Sequence, residues 1–177
     1  MGVHRFAAAL GLALAAGIAP AAPAKEPAAP CAAAPVLPPE LSGWTRIASN
    51  KTIYAYGDAR AADWPPLGAA RTELALHRFE SLRYWAAPAR RPNSFKFGGM
   101  VPVIAPKPGR LVVALDQGAW IDLVQGGRIV KSAAHRHSPA CSGIGKIVEF
   151  DVTPGRYLLQ IVNAPQASIH AMAVLRD

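Results

Sequence analysis

The sequence predicts an all-β domain: a single antiparallel β-sandwich or jelly roll of about eight to ten strands. Apolar residues alternate with period two, Gly and Pro bound the alternating segments, and no stretch after residue 40 has a helical period. The first strands are expected at 52–56, at 71–79 with Leu74 and Leu76 on one side, and at 95–103. Segment 110–116 is a continuous apolar run, which suits a strand buried on both faces. Segments 119–124 and 128–131 flank Gln125-Gly126-Gly127. Adjacent glycines permit the positive φ angles of a two-residue turn, so these segments form a hairpin. In 146–152, Val148, Phe150 and Val152 alternate with Ile147, Glu149 and Asp151. Pro154-Gly155 makes a turn, and strands at 156–162 and 168–175 close the domain.

The N-terminus has a different character. Arg5 precedes an apolar run from Phe6 to about Ile18, followed by Pro20 and Ala22-Pro23-Ala24. A bilayer core of about 30 Å needs a longer helix. A basic start, a short apolar run and an A-x-A site are the marks of a cleaved secretory signal peptide, here 1–24. Residues 25–40 are rich in Ala and Pro and read as an extended tether. The domain proper is 41–177. No later stretch is long and apolar enough to span a membrane, which places the protein in the periplasm or outside the cell.

The chain carries 19 basic and 11 acidic residues, and loses one base, Arg5, with the leader. A basic exported domain suits an anionic envelope polymer or a protein partner. Nucleic acid is a poor fit, because the basic residues are dispersed; the densest spot, Arg90-Arg91, reads as a solvated loop. Cys31 and Cys141 are the two cysteines. In an oxidising compartment such a pair forms a disulfide, here one that ties the tether to the domain.

One local constellation can carry chemistry. His135 and His137 are two residues apart, and on a strand such residues share a face. Two imidazoles suit iron, copper or zinc. A third ligand is needed, and His77, His170, Asp122 and Glu149 are the candidates. Cupins follow such a pair with a glutamate; here the fourth residue after His137 is Cys141. The alternative is that His-Arg-His-Ser-Pro is an exposed basic loop held by the Cys141 disulfide. Trp120 and Asp122 form a second candidate, a sugar-binding patch in which the indole stacks on a sugar ring, against core packing for Trp120. Tyr84-Trp85 carries the same two readings. No G-x-S-x-G elbow is present, and Gly143-x-Gly145 is too short to be a phosphate loop.

The segments 118–124 (GAWIDLV), 132–148 (SAAHRHSPACSGIGKIV) and 154–161 (PGRYLLQI) carry a resemblance. They are similar to small exported proteins of alphaproteobacteria with the pattern G-x-W-I-D-V, A-H-G-H-G-P-x-C-S-G-I-R-K and P-G-x-Y-x-L-Q, and 37–44 (LPPELSGW) matches the start of that domain. The likeness is dense from about 110 to 162. This chain has Arg136 and Ser138 where the pattern has glycines, and Gly145 where it has Arg. The resemblance implies a secreted β-domain with a His-x-His…Cys feature. Some members carry the label homogentisate 1,2-dioxygenase, which implies metal-dependent oxidation at His135 and His137. The closing hairpin also resembles that of prepeptidase C-terminal jelly rolls, which are accessory domains. Two functions are expected from these readings. The first is a non-enzymatic envelope module that binds a partner, a glycan or a metal. The alternative is a small metal-dependent enzyme, dioxygenase-like, using His135 and His137.

Overall fold

The computed structural model describes residues 1–2, 31, 34–48, 52–58 and 65–176. Nearly all of the expected signal peptide, and residues 25–30 and 32–33 of the tether, lie outside the described residues. The unit that starts at Cys31 contains every described strand.

Two sheets pack face to face, as the period-two pattern requires. Eleven strands are present among the described residues: β1 (Ile53–Tyr54), β2 (Thr72–Ala75), β3 (His77–Arg78), β4 (Phe97–Ala105), β5 (Gly109–Leu115), β6 (Trp120–Gln125), β7 (Arg128–Val130), β8 (Ser132–Arg136), β9 (Lys146–Val152), β10 (Gly155–Ala164) and β11 (Ser168–Arg176). One sheet has the order β1-β2-β11-β5-β9-β8 and the other β3-β4-β10-β6-β7. All pairings are antiparallel except β1 with β2. The count exceeds the expected range because the single strand expected at 71–79 is two and because β8 forms at 132–136, where no strand is expected. The chain changes sheets at Leu76, whose N–H bonds the Ala167 carbonyl at 2.7 Å, so β2 and β3 belong to different layers. Gly126 and Gly127 have φ of +56° and +74°, the left-handed pair that a type I′ hairpin needs between β6 and β7.

The main core lies between the sheets. Leu111, Val113 and Leu115 of β5 meet Leu123 of β6 and Leu159 and Ile161 of β10 there. The alternate residues of β5, Val112 and Ala114, face the other way and are also fully buried. They lie under a 3-10 helix, Pro39–Thr45, which seats Leu41 and Trp44 with Ile147 and Met172. The Trp44 indole N–H donates to the Ser142 carbonyl at 3.0 Å. The domain boundary expected at residue 41 therefore falls inside an ordered turn, and Leu37 already packs against this second core.

Charge fastens the same segment. Glu149 of β9 is buried on the outer face of the six-stranded sheet and meets Arg110, Arg136 and Arg176. Arg136 reaches on to Glu40 of the 3-10 helix at 2.8 Å. Burial pushes the Glu40 carboxyl up. A hydrogen bond from its own backbone, the Arg136 hydrogen bond and the charges of Arg136 and Arg176 outweigh that and hold it below the usual carboxylate value. At Gly145 a Cβ would lie 2.6 Å from the Asp116 carbonyl oxygen, so the backbone here is closed to a side chain. The disulfide Cys31–Cys141 completes the attachment, with Cα atoms 5.6 Å apart and a sequence separation of 110.

Two outcomes are expected. Titration of the denatured, non-reduced protein finds no free thiol, and Cys31→Ser with Cys141→Ser costs about 4 kcal/mol, a Tm drop on the order of 10 °C; two thiols in the unmodified chain would overturn the pairing. Trp44→Ala leaves a cavity over β5 and costs about 3–5 kcal/mol in urea unfolding. A loss below about 1 kcal/mol would mean that the 3-10 helix does not seal this face.

Candidate functional site

The site arises from a mismatch in strand length. β7 has three residues and pairs only with Leu123–Gln125 of β6. Trp120, Ile121 and Asp122 therefore have no strand partner on that side. The chain passes through Lys131 directly into β8, the edge of the other sheet. A cleft of about 270 Å³ opens at this edge, lined by Trp120 and Asp122 of one sheet and by Ser132, His135 and Lys146 of the other. The register turns the second wall inward: Ser132 pairs with Phe150, His135 with Val148 and Lys146 with Leu115, all at core-facing positions. A second cleft of about 370 Å³ adjoins the first through Trp120 and Lys146 and adds Arg90, Asn93, Lys96 and Asn163.

Trp120 lies at the centre. Its indole N–H donates to Asp122 Oδ1 at 2.9 Å, and Asp122 Oδ2 accepts the Ala89 backbone N–H at 3.0 Å. Asp122 is 3% exposed, and both its oxygens are thus committed. Gln160, opposite it on β10, holds Ala86 by bonds to N–H and carbonyl alike, at 3.0 and 3.1 Å. These bonds fix the loop 82–96 over the five-stranded sheet and place Arg90 beside Trp120. Two cations lie over the indole, Lys146 at 5.2 Å and Arg90 at 5.9 Å from its centroid. Neither forms an ion pair among the described residues.

The balance of charge is lopsided. Arg90, Lys96, Lys131 and Lys146 line the joined clefts, against Asp122 as the one carboxylate. Burial pushes the Lys146 ammonium below the ordinary lysine value, the Arg90 charge pushes it further, and Asp122 only partly opposes them. Burial, with the Asp122 charge, holds the nearby Tyr84 phenol well above its usual value, so it stays a neutral donor to the Ile161 carbonyl at 2.9 Å. Four cations against one carboxylate leave these joined clefts net positive, which favours an anion.

The structure brings together part of what the sequence singled out. His135 lines the Trp120–Asp122 cleft. It is exposed, and its Nε2 lies 3.2 Å from Ser132 Oγ, with no carboxylate among the described residues to orient the other ring nitrogen. His137 is exposed and lies beyond the end of β8. His77 sits on β3 in the opposite sheet and bonds the Ala55 carbonyl at 2.7 Å. His170, on β11, bonds Asp116 at 2.8 Å. Cys141 is in the disulfide, and Glu149 is held by the arginine network. Among the described residues, no group of three or more His, Cys, Asp or Glu side chains could hold a metal ion.

Arg90 is exposed, as a loop residue should be, yet its guanidinium packs on Trp120, which its neighbours in sequence do not reveal. Lys146, the other cation missed, reads in sequence only as the polar start of a strand. One signal did exist. Residues 81–115 contain Arg83, Arg90, Arg91, Lys96, Lys107 and Arg110 and no acid. No helix among the described residues is long and apolar enough to cross a membrane. No family model, curated protein or solved structure matches this chain.

The Lys146 amine should react with acetic anhydride with a pH midpoint below that of a free lysine amine, read by peptide mass spectrometry. Arg90→Ala raises the midpoint, and Asp122→Asn lowers it further. Midpoints unmoved in both variants would contradict the charge arrangement described.

Proposed function

We propose that this protein is an exported, non-enzymatic β-sandwich module that binds an acidic glycan of the cell envelope in the Trp120 cleft. The observation that carries the reading is the pair of cations, Arg90 and Lys146, held over one indole in clefts where four cations meet one carboxylate among the described residues. A sugar acid supplies what this site lacks. Its carboxylate or phosphate pairs with Lys146 and Arg90, and its ring C–H groups pack on the half-buried indole. His135 and Ser132 face the same space and offer hydrogen bonds to hydroxyls. Export is supported by the N-terminal pattern of residues 1–24 and by the Cys31–Cys141 disulfide, which needs an oxidising compartment to persist. The module acts in the periplasm or outside the cell.

Calorimetric titration with trigalacturonate, against uncharged maltotriose, tests this. The acidic trimer should bind and weaken with added salt, and Trp120→Ala and Lys146→Ala should each lose about tenfold in affinity, roughly 1.4 kcal/mol. Equal binding of both trimers, or an unchanged Kd in Lys146→Ala, would reject the reading. Metal content of protein purified without a histidine tag is the companion measurement. Stoichiometric iron, copper or zinc that disappears in His135→Ala with His137→Ala would favour the metal-dependent enzyme instead.

A further inference from the structure

Phe95 stands out of the surface beside the cleft. It is 86% exposed, which removes it from any core. Its turn is nonetheless locked. The Asn93 N–H donates to Asn163 Oδ1 at 2.7 Å, and Asn163 Nδ2 donates to the Arg91 carbonyl at 3.1 Å. Asn93 in turn accepts the Phe95 N–H on its side chain at 2.8 Å and the Lys96 N–H on its carbonyl at 3.1 Å. Asn163 holds a left-handed φ of +62°, at the point where the register of β10 against β4 shifts. An asparagine tolerates that conformation better than most residues, but it is still a strained position inside a strand. The strained residue and its bonds fix the backbone of the turn that carries Phe95.

The surroundings of Phe95 are cationic. Arg90, Arg91 and Lys96 lie on the same loop, and Arg78 packs on the neighbouring Phe97 at 5.4 Å. A single projecting aromatic ring in a ring of cations is a poor protein interface, since such interfaces have an apolar, charge-depleted centre of many residues. It suits the surface of an anionic bilayer, where the ring enters the apolar boundary and the cations meet phosphates.

We infer that the loop 90–96 docks on an anionic lipid bilayer, with Phe95 inserted among the headgroups and Arg91 and Lys96 paired with lipid phosphates. Arg90, Asn93, Lys96 and Asn163 also line the cleft beside Trp120, so docking holds the mouth of that cleft against the membrane surface. The inference does not rest on the glycan reading: vesicles without sugar test it, and sugar titrations without lipid test the other.

The experiment is co-sedimentation of the purified, processed protein with vesicles of phosphatidylcholine alone and of phosphatidylcholine with about one third phosphatidylglycerol. Binding is expected to the anionic vesicles only. Each loop cation should contribute about fivefold, so Arg91→Ala weakens partition by that factor, and Phe95→Ala weakens it about tenfold. Because Phe95 is exposed, neither variant disturbs the core. Phe95→Trp supplies a direct readout: its emission should shift to the blue and become shielded from iodide when anionic vesicles are added. Equal partition to neutral and anionic vesicles, unaltered partition of Phe95→Ala, or an unshifted Phe95→Trp on bound vesicles would each overturn the inference.

Discussion

A strand buried on both faces obliges the chain to cover both faces. β5 is such a strand. Its inward residues reach the core between the sheets, and Val112 and Ala114 on its outer side must be shielded as well. The 3-10 helix Pro39–Thr45 supplies the shield through Leu41 and Trp44. Three attachments of different chemistry hold it there: apolar packing, the Glu40–Arg136–Glu149 charges and the disulfide. Because Arg136 and Cys141 both belong to the 132–148 region, fastening the N-terminal segment also restrains β8 and the turn after it. That restrained β8 forms one wall of the cleft.

The opposite wall depends on the other sheet. Its outer face is covered by the loop 82–96 rather than by a helix, and polar side chains of the sheet hold that loop by its backbone. Asp122, Gln160 and Asn163 each point outward from a strand and each bond backbone groups of the loop. One set of bonds thus builds both the fold and the site. Asp122 is a fastener as well as the one carboxylate of the cleft among the described residues, and its single charge is outnumbered by the cations around it. Asn163 sets the turn that displays Phe95. The cleft and the projecting ring are products of the same stapled loop.

The histidines show why spacing alone does not make a site. His135 and His137 have the i, i+2 relation that a strand turns into a shared face, but β8 ends at Arg136. His77 and His170 belong to different sheets, each bonded locally. What meets His135 is Trp120 and Asp122, which the sequence presented as an unrelated patch.

Most strand positions, the β6–β7 turn, the two-sided burial of β5 and the pairing of the two cysteines were legible from residue types, because each depends on local backbone preference or on the chemistry of one residue class; β8 was not, because Ser132–Arg136 carries no large apolar side chain. The split of 71–79 into two strands was not, since a change of sheet at Leu76 alters no period. The content of the cleft was not legible either. Arg90, Trp120, His135 and Lys146 are far apart in sequence, and only strand order and the short β7 bring them together. Sequence alone determined a basic, two-cysteine β-domain with an N-terminal leader pattern. The tertiary structure decided which of its cations gather over one indole and outnumber its carboxylate, because that depends on strand order and on the loop that the sheet holds.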